Sequence, residues 1–258
     1  MPVRTIQGGT EDYEMTTARF TLGETGFAVS DLEAEVTFYE RLGFKRLERK
    51  TGNPADHAMM YDGHAVIGLY QLEFTSPTMG FYVHDPEQTV KELLEIGIEV
   101  EVERKGDNTF IAAYFDSPNG VPVQIASLDW FDHPGSREER TSKIGTFGEF
   151  AIGVESLDEA IRFWNSVGLP TLAGPYQGEM NYAILGSKDF PVGLHEYPEP
   201  APNAPTFFSP DQKEMIATLK TEGIPVTWEM AGPSGEIEHA LVQTPNGHTL
   251  FLFTWELP

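Results

Sequence analysis

The chain has 258 residues, 40% of them hydrophobic, enough for one large or two ordinary packed domains. A formal net charge of -23, from 40 acidic and 17 basic residues, argues against a nucleic-acid partner, and the absence of cysteine removes disulfides, thiolate nucleophiles and sulfur-held metals. The first twenty residues hold no apolar run of the signal-peptide kind and no segment approaches the roughly 18 apolar residues of a membrane span, so a cytoplasmic protein with no membrane partner is expected.

After a polar arm at residues 1–19, alternation predicts a strand over 20–29, with Phe27 and Val29 on one face and Glu24, Gly26 and Ala28 on the other. A helix follows, with Asp31 as its cap, Leu32, Val36 and Tyr39 at helical spacing, and Gly43 as its stop. Three short strands are expected over 45–50, 57–61 and 65–70, with turns at Asn53-Pro54 and Asp62-Gly63. The order then restarts with a strand at 79–83 and a helix capped by Asp85, carrying Pro86 in its first turn. Strands near 99–104, 110–115 and 121–126 complete it. Residues 128–146 lose periodicity and gather charge, proline and glycine, which marks a linker.

The scheme is then written again. GFAVSDLEAEVTFYERLGF at 26–44 is answered by EFAIGVESLDEAIRFWNSVGL at 149–169. In the second copy Phe150, Ile152 and Val154 oppose Glu149, Ala151 and Gly153, and Ser156 with Glu159 forms a capping box. Strands are expected near 171–175, 181–185 and 192–195. A proline-rich crossing leads to a fourth unit: a strand at 206–208, a helix opened by Ser209-Pro210, and strands near 226–230, 238–243 and 249–253. Pro118-Asn119-Gly120 returns as Pro245-Asn246-Gly247, and Gly68 as Gly193. The expected fold is α+β: four βαβββ units in two tandem domains, 20–127 (units 20–72 and 78–127) and 147–258 (units 147–197 and 204–254). Each domain is a curled mixed sheet forming a cup, with helices on its outer face.

With Val29-Ser30-Asp31-Leu32, Phe38-Tyr39-Glu40-Arg41-Leu42-Gly43-Phe44, Ile67-Gly68-Leu69-Tyr70 and Asp116-Ser117-Pro118-Asn119-Gly120, the chain resembles the vicinal oxygen chelate superfamily. That family includes glyoxalase I, bleomycin- and fosfomycin-resistance proteins and extradiol dioxygenases. The resemblance implies a cup in which His and Glu, from the first and last strands of two units, hold a divalent metal. Those positions fall here on Glu24, about Thr78, Gly68 and Gln124, and in the second half on Glu149, about Ala204, Gly193 and Phe251. Only the Glu and Gln side chains among them can coordinate, so the resemblance implies that the usual centre is dismantled and that no cofactor is needed. A displaced divalent metal on Glu149, His195 and His239 is the alternative, and the competing reading makes both histidines ordinary cavity or surface residues.

His57 is a candidate for ligand contact in the first cup, whereas His64, His84, His133 and His248 read as solvated loop histidines. Glu24 and Glu149 share one position in the two copies. Each is either a cup-wall carboxylate, serving as a base or a counter-charge, or a solvated charge at a wet edge. Tyr70 and Tyr82 add aromatic walls to the first cup; Phe208, Phe251 and Phe253 face the second. Gly26, Gly68, Gly80 and Thr78 are expected to leave room in the first. The leading expectation is a metal-independent small-molecule binding protein of bleomycin-resistance type, monomer or homodimer, with its pocket in the first half. A metal-dependent lyase, isomerase or dioxygenase is the rival, and a purely structural role is the third possibility.

Overall fold

The computed structural model describes residues 19–20, 22–48, 56–130, 139–178, 181–196, 202–232 and 235–254. The helices form where their caps and stops put them. Asp31 accepts from the Ala34 N–H at 3.0 Å to open α1 (Leu32–Arg41), and Gly43, at φ +94°, leaves it through the left-handed region. Asp85 caps α2 (Pro86–Glu95) through the Gln88 N–H, and Ser156 caps α3 (Leu157–Val167) through the Glu159 N–H. The last helix is α4 (Gln212–Thr221).

The strands of the first half are β1 (Leu22–Ala28), β2 (Lys45–Arg46), β3 (His57–Tyr61), β4 (Val66–Tyr70), β5 (Thr78–Val83), β6 (Glu101–Arg104), β7 (Phe110–Asp116) and β8 (Pro122–Ser127). Those of the second are β9 (Thr146–Val154), β10 (Thr171–Tyr176), β11 (Asn181–Gly186), β12 (Pro191–Glu196), β13 (Ala204–Ser209), β14 (Val226–Ala231), β15 (Ile237–Gln243) and β16 (Thr249–Thr254). Each half makes one eight-stranded mixed sheet, ordered β2-β3-β4-β1-β5-β8-β7-β6 and β10-β11-β12-β9-β13-β16-β15-β14. The first strands of the two units in a half pair antiparallel with each other, β1 with β5 and β9 with β13, and parallel with the last strand of their own unit. Each cup therefore closes within its own half.

The expected strand at 45–50 is only two residues long within the described residues, and β9 begins at Thr146, the last residue of the expected linker. The described end of that linker is packed rather than loose. The Thr141 N–H donates to Asp62 O at 2.7 Å, the Lys143 N–H donates to Leu42 O at 2.8 Å, and Ile144 is buried. These contacts use backbone groups, which leave no hydropathy period to read. His133 and most of the N-terminal arm lie outside the described residues.

One hydrophobic core runs through both halves. Phe190 from the second half stacks edge-on against Phe81 at 5.5 Å and lies where a Cβ on Gly23 would be, 2.7 Å away, so a side chain at 23 would force the halves apart. The turn at Pro245-Asn246-Gly247 clasps α1. Buried Glu35 accepts through Oε1 from Thr244 Oγ1–H, the Asn246 N–H and Asn246 Nδ2–H at 2.7–2.9 Å, and Asn246 Oδ1 accepts from the Ser30 N–H at 2.8 Å. His248 joins the clasp. Read from sequence as a solvated loop histidine, it stacks on Phe27 at 4.4 Å, with Nε2 2.7 Å from Ala28 O. Replacing Asn246 by alanine is expected to lower the unfolding free energy by about 2 kcal/mol in urea titration, because partners on both sides of the interface lose a bond at once. Among the described residues no helix is long and apolar enough to cross a membrane.

Candidate functional site

Strand alternation puts Glu24, Gly26 and Ala28 of β1 on the concave face of the first sheet, and the pairings bring Gly68, Tyr70, Thr78, Tyr82 and Gln124 to the same face. A cleft of about 1540 Å³ opens over this face, larger than the roughly 300–1,000 Å³ usual for small-molecule sites. Tyr70, Tyr82, Thr78 and Gln124 line it, as does His57, stacked on the Tyr70 ring at 5.8 Å. Met59, Leu72, Phe74, Ile98, Ile111 and Tyr114 complete an apolar and aromatic wall. The charged residues of the lining are mostly acidic. Glu48, Glu73, Glu99, Glu101, Glu103 and Asp116 surround the opening, against Arg46, the one Lys or Arg among the described lining residues, which is paired with Glu33 at 3.1 Å.

Glu24 is not a wet-edge carboxylate: it is completely buried beneath the tyrosines. Its Oε1 accepts from Tyr70 O–H at 2.5 Å, and its Oε2 is buried with no hydrogen-bond partner. The backbone explains how the carboxyl fits. A Cβ on Gly68 would stand 2.8 Å from Glu24 Oε1, and one on Gly80 would stand 2.8 Å from Glu24 Cγ. The room expected from Gly68 and Gly80 is thus taken by Glu24 itself and by the Tyr70 ring, which also covers Gly26; the cleft lies above this layer. Burial pushes the Glu24 carboxyl up to about 7, outweighing the lowering effect of hydrogen bonding with Tyr70 and Tyr82. Burial and the neighbouring Glu24 push both phenols well above their ordinary value.

The second sheet repeats the frame with different contents. Glu149, Tyr182, Gly193 and His195 stand 125 residues beyond Glu24, His57, Gly68 and Tyr70, so the histidine and the tyrosine have exchanged strands. Glu149, also buried, lies across Gly193, where a Cβ would come within 2.2 Å of Oε2, and its Oε1 is 2.7 Å from His195 Nε2. Tyr182 stacks on His195 at 6.0 Å, as His57 does on Tyr70. Where the first cup has Gln124 and Ala126 the second has Phe251 and Phe253, stacked at 5.5 Å. Phe251 is buried with Ala151 and Ala204, and Leu241 and Phe253 pack against them. Phenylalanines thus stand in this cup where the first has Gln124 and Ala126.

The displaced metal set does not assemble. Glu149 and His195 meet, but His239 sits on β15, four strand spacings from β12, about 19 Å along the sheet, with Phe251 and Phe253 between. Its ring meets Phe253 edge-on at 5.1 Å, its Nδ1 accepts from the Thr254 N–H at 3.3 Å, and burial lowers its basicity. The family-type positions do not fit a metal either. Gly68 and Gly193 offer no donor, the Glu24 carboxyl is engaged by Tyr70, and among the described residues no three His, Asp or Glu side chains gather as a metal-holding group. Sequence reasoning missed Tyr182, although the constant 125-residue offset points to it. It also missed Leu72, Phe74 and the acidic surround, which carry no motif.

Residues 21–125 match the family model described as Glyoxalase/Bleomycin resistance protein/Dioxygenase superfamily. No curated protein sequence matches the chain at a significant level. Among solved structures, the Mn(II)-bound glyoxalase from Novosphingobium aromaticivorans is similar at 17% identity and TM-score 0.59, over 92% of this chain and 83% of that one. The 2,3-dioxygenase LapB from Pseudomonas sp. KL28 is similar at 15% identity and TM-score 0.61, over 94% of each chain. An extradiol ring-cleaving dioxygenase from B. fuscum is similar at 16% identity and TM-score 0.58, over 94% of this chain and 74% of that one. At such identities the structures speak for the fold alone. The family match thus covers the first half of the chain, 21–125, and the second half repeats the strand order of the first, so the chain is similar to the glyoxalase/bleomycin-resistance/dioxygenase superfamily by sequence in one half and by fold in both.

Proposed function

We propose that the protein binds a small organic molecule in the cup of its first half, without a metal, and that the second cup is a structural counterpart. The observation that carries this reading is the contrast between two cups of one strand order. The first keeps an aromatic-walled cleft, and the second carries phenylalanines at the matching places. The acidic surround favours guests that are cationic, or apolar with a positive end, because clustered carboxylates over low-dielectric walls concentrate field at the opening. Aromatic faces then supply stacking and cation–π contact.

The test copies the second cup into the first. Binding of tetraphenylphosphonium, a permanent organic cation, is measured by calorimetry on the full chain and on a variant carrying Gln124→Phe and Ala126→Phe. The wild type is expected to bind with an affinity unchanged by excess EDTA, and the variant, folded by circular dichroism, to lose at least tenfold. Equal binding by both proteins would move the site out of this cup. Loss of binding on EDTA treatment would favour the metal-dependent reading.

A further inference from the structure

Two carboxylates at one position of a repeated fold have been given different company. Glu149 has His195 at 2.7 Å, a side chain able to carry positive charge. Among the described residues, Glu24 has only the Tyr70 and Tyr82 phenols as hydrogen-bonding neighbours; its Oε2 lacks a partner, and it makes no ion pair. The groups facing it can be named element by element. Tyr70 comes from β4 and Tyr82 from β5; Gln124 of β8 pairs with Gly80 beside it; His57 of β3 lies behind Tyr70; Tyr114 of β7 stands next to Gln124. None is a lysine or arginine. A buried carboxylate in such company holds a proton until a positive charge arrives.

We propose that Glu24 is the buried counter-charge of the first cup, and that an organic cation seated on Tyr70 and Tyr82 binds in exchange for the Glu24 proton. This rests on the reading of the first cup as the binding site and adds to it a guest charge and a proton balance: cation plus protonated Glu24 gives bound cation, Glu24 carboxylate and one proton released to water. The two phenols form the floor of the cleft and lie between Glu24 and the guest. Their rings meet the positive charge through their faces, while Tyr70 O–H goes on donating to the carboxylate. The first cup thus obtains from its guest the positive partner that His195 can supply in the second.

The exchange is measured by calorimetry on the full chain, with tetraphenylphosphonium as the cation and triphenylphosphine oxide as a neutral probe of similar bulk. Titrations at pH 6 and pH 8, in buffers of different ionisation enthalpy, count the protons. With the Glu24 carboxyl at about 7, the cation is expected to bind about tenfold more tightly at pH 8, releasing close to one proton at pH 6 and almost none at pH 8. The neutral probe should show neither effect. Glu24→Gln should abolish the pH dependence and the proton release for the cation, while His57→Gln keeps the release. Cation binding with the same affinity at both pH values and no proton release overturns the exchange and leaves the site standing. Release that survives Glu24→Gln but disappears in His57→Gln also overturns it. If neither probe binds the wild type, the binding site itself is refuted and the exchange falls with it.

Discussion

Replacing His195 by phenylalanine is expected to cost about 1–3 kcal/mol of stability at neutral pH, the usual result of leaving a buried hydrogen-bonding group without its partner. Glu149 and His195 both lie in the interior of the second cup, with Nε2 and Oε1 2.7 Å apart. Phenylalanine keeps the ring that stacks on Tyr182, so packing is largely conserved and the loss reports the stranded carboxylate. Glu149 makes no ion pair with a lysine or arginine among the described residues, and it lies across Gly193. Adding Glu149→Gln to His195→Phe should recover most of the loss, since removing both members of such a pair is often neutral. Urea denaturation of the four proteins closes the cycle. A loss under about 1 kcal/mol for the single variant would mean that the pair contributes nothing.

At the matching place in the first cup the sign reverses. Glu24→Gln is expected to stabilise the unliganded protein by about 2 kcal/mol at pH 8 and to destabilise it by about 1 kcal/mol near pH 4. The Glu24 carboxyl stands at about 7 in the folded protein against an ordinary 4.5. Below 4.5 it is protonated in both states. Between 4.5 and 7 the unfolded chain ionises while the folded chain keeps its proton, so wild-type stability falls as pH rises. Above 7 the full penalty is present, about 3 kcal/mol at about 1.4 kcal/mol per pH unit. Glutamine escapes this penalty and still accepts from Tyr70 O–H, but its amide protons meet the buried place where Oε2 has no partner, which costs about 1 kcal/mol. Parallel urea curves at pH 4 and pH 8 measure the difference. Equal stability at pH 8 would show that Glu24 is ionised without penalty.

These opposite expectations at equivalent positions were half visible in the residues. The 125-residue offset identified Glu24 and Glu149 as equivalents, and strand alternation put both on the cup face. Their depth was not readable, because a period of two says which face a side chain takes and nothing about what lies above it. Tyr70 covers Glu24 only once the first and last strands of one unit are paired, and Phe251 comes to the strand next but one from Glu149 only once β9 pairs with β13 of the other unit. His239 illustrates the same gap. A metal set with Glu149 and His195 needs it close to the His195 strand, and the β9–β13 pairing places it four strands away.

The chain's own order of residues determined the units. Caps at Asp31, Asp85 and Ser156, stops at Gly43 and Gly168, and the returning Pro-Asn-Gly turns are local signals set by backbone conformation and by hydrogen bonds within a few residues. The tertiary structure alone decided that β1 pairs with β5 and β9 with β13, closing each cup within its half, and that the Asn246 turn of one half clasps α1 of the other. Such choices rest on contacts between residues from about 50 to more than 200 positions apart. They depend on which surfaces bury most apolar area together, and no local pattern records that sum.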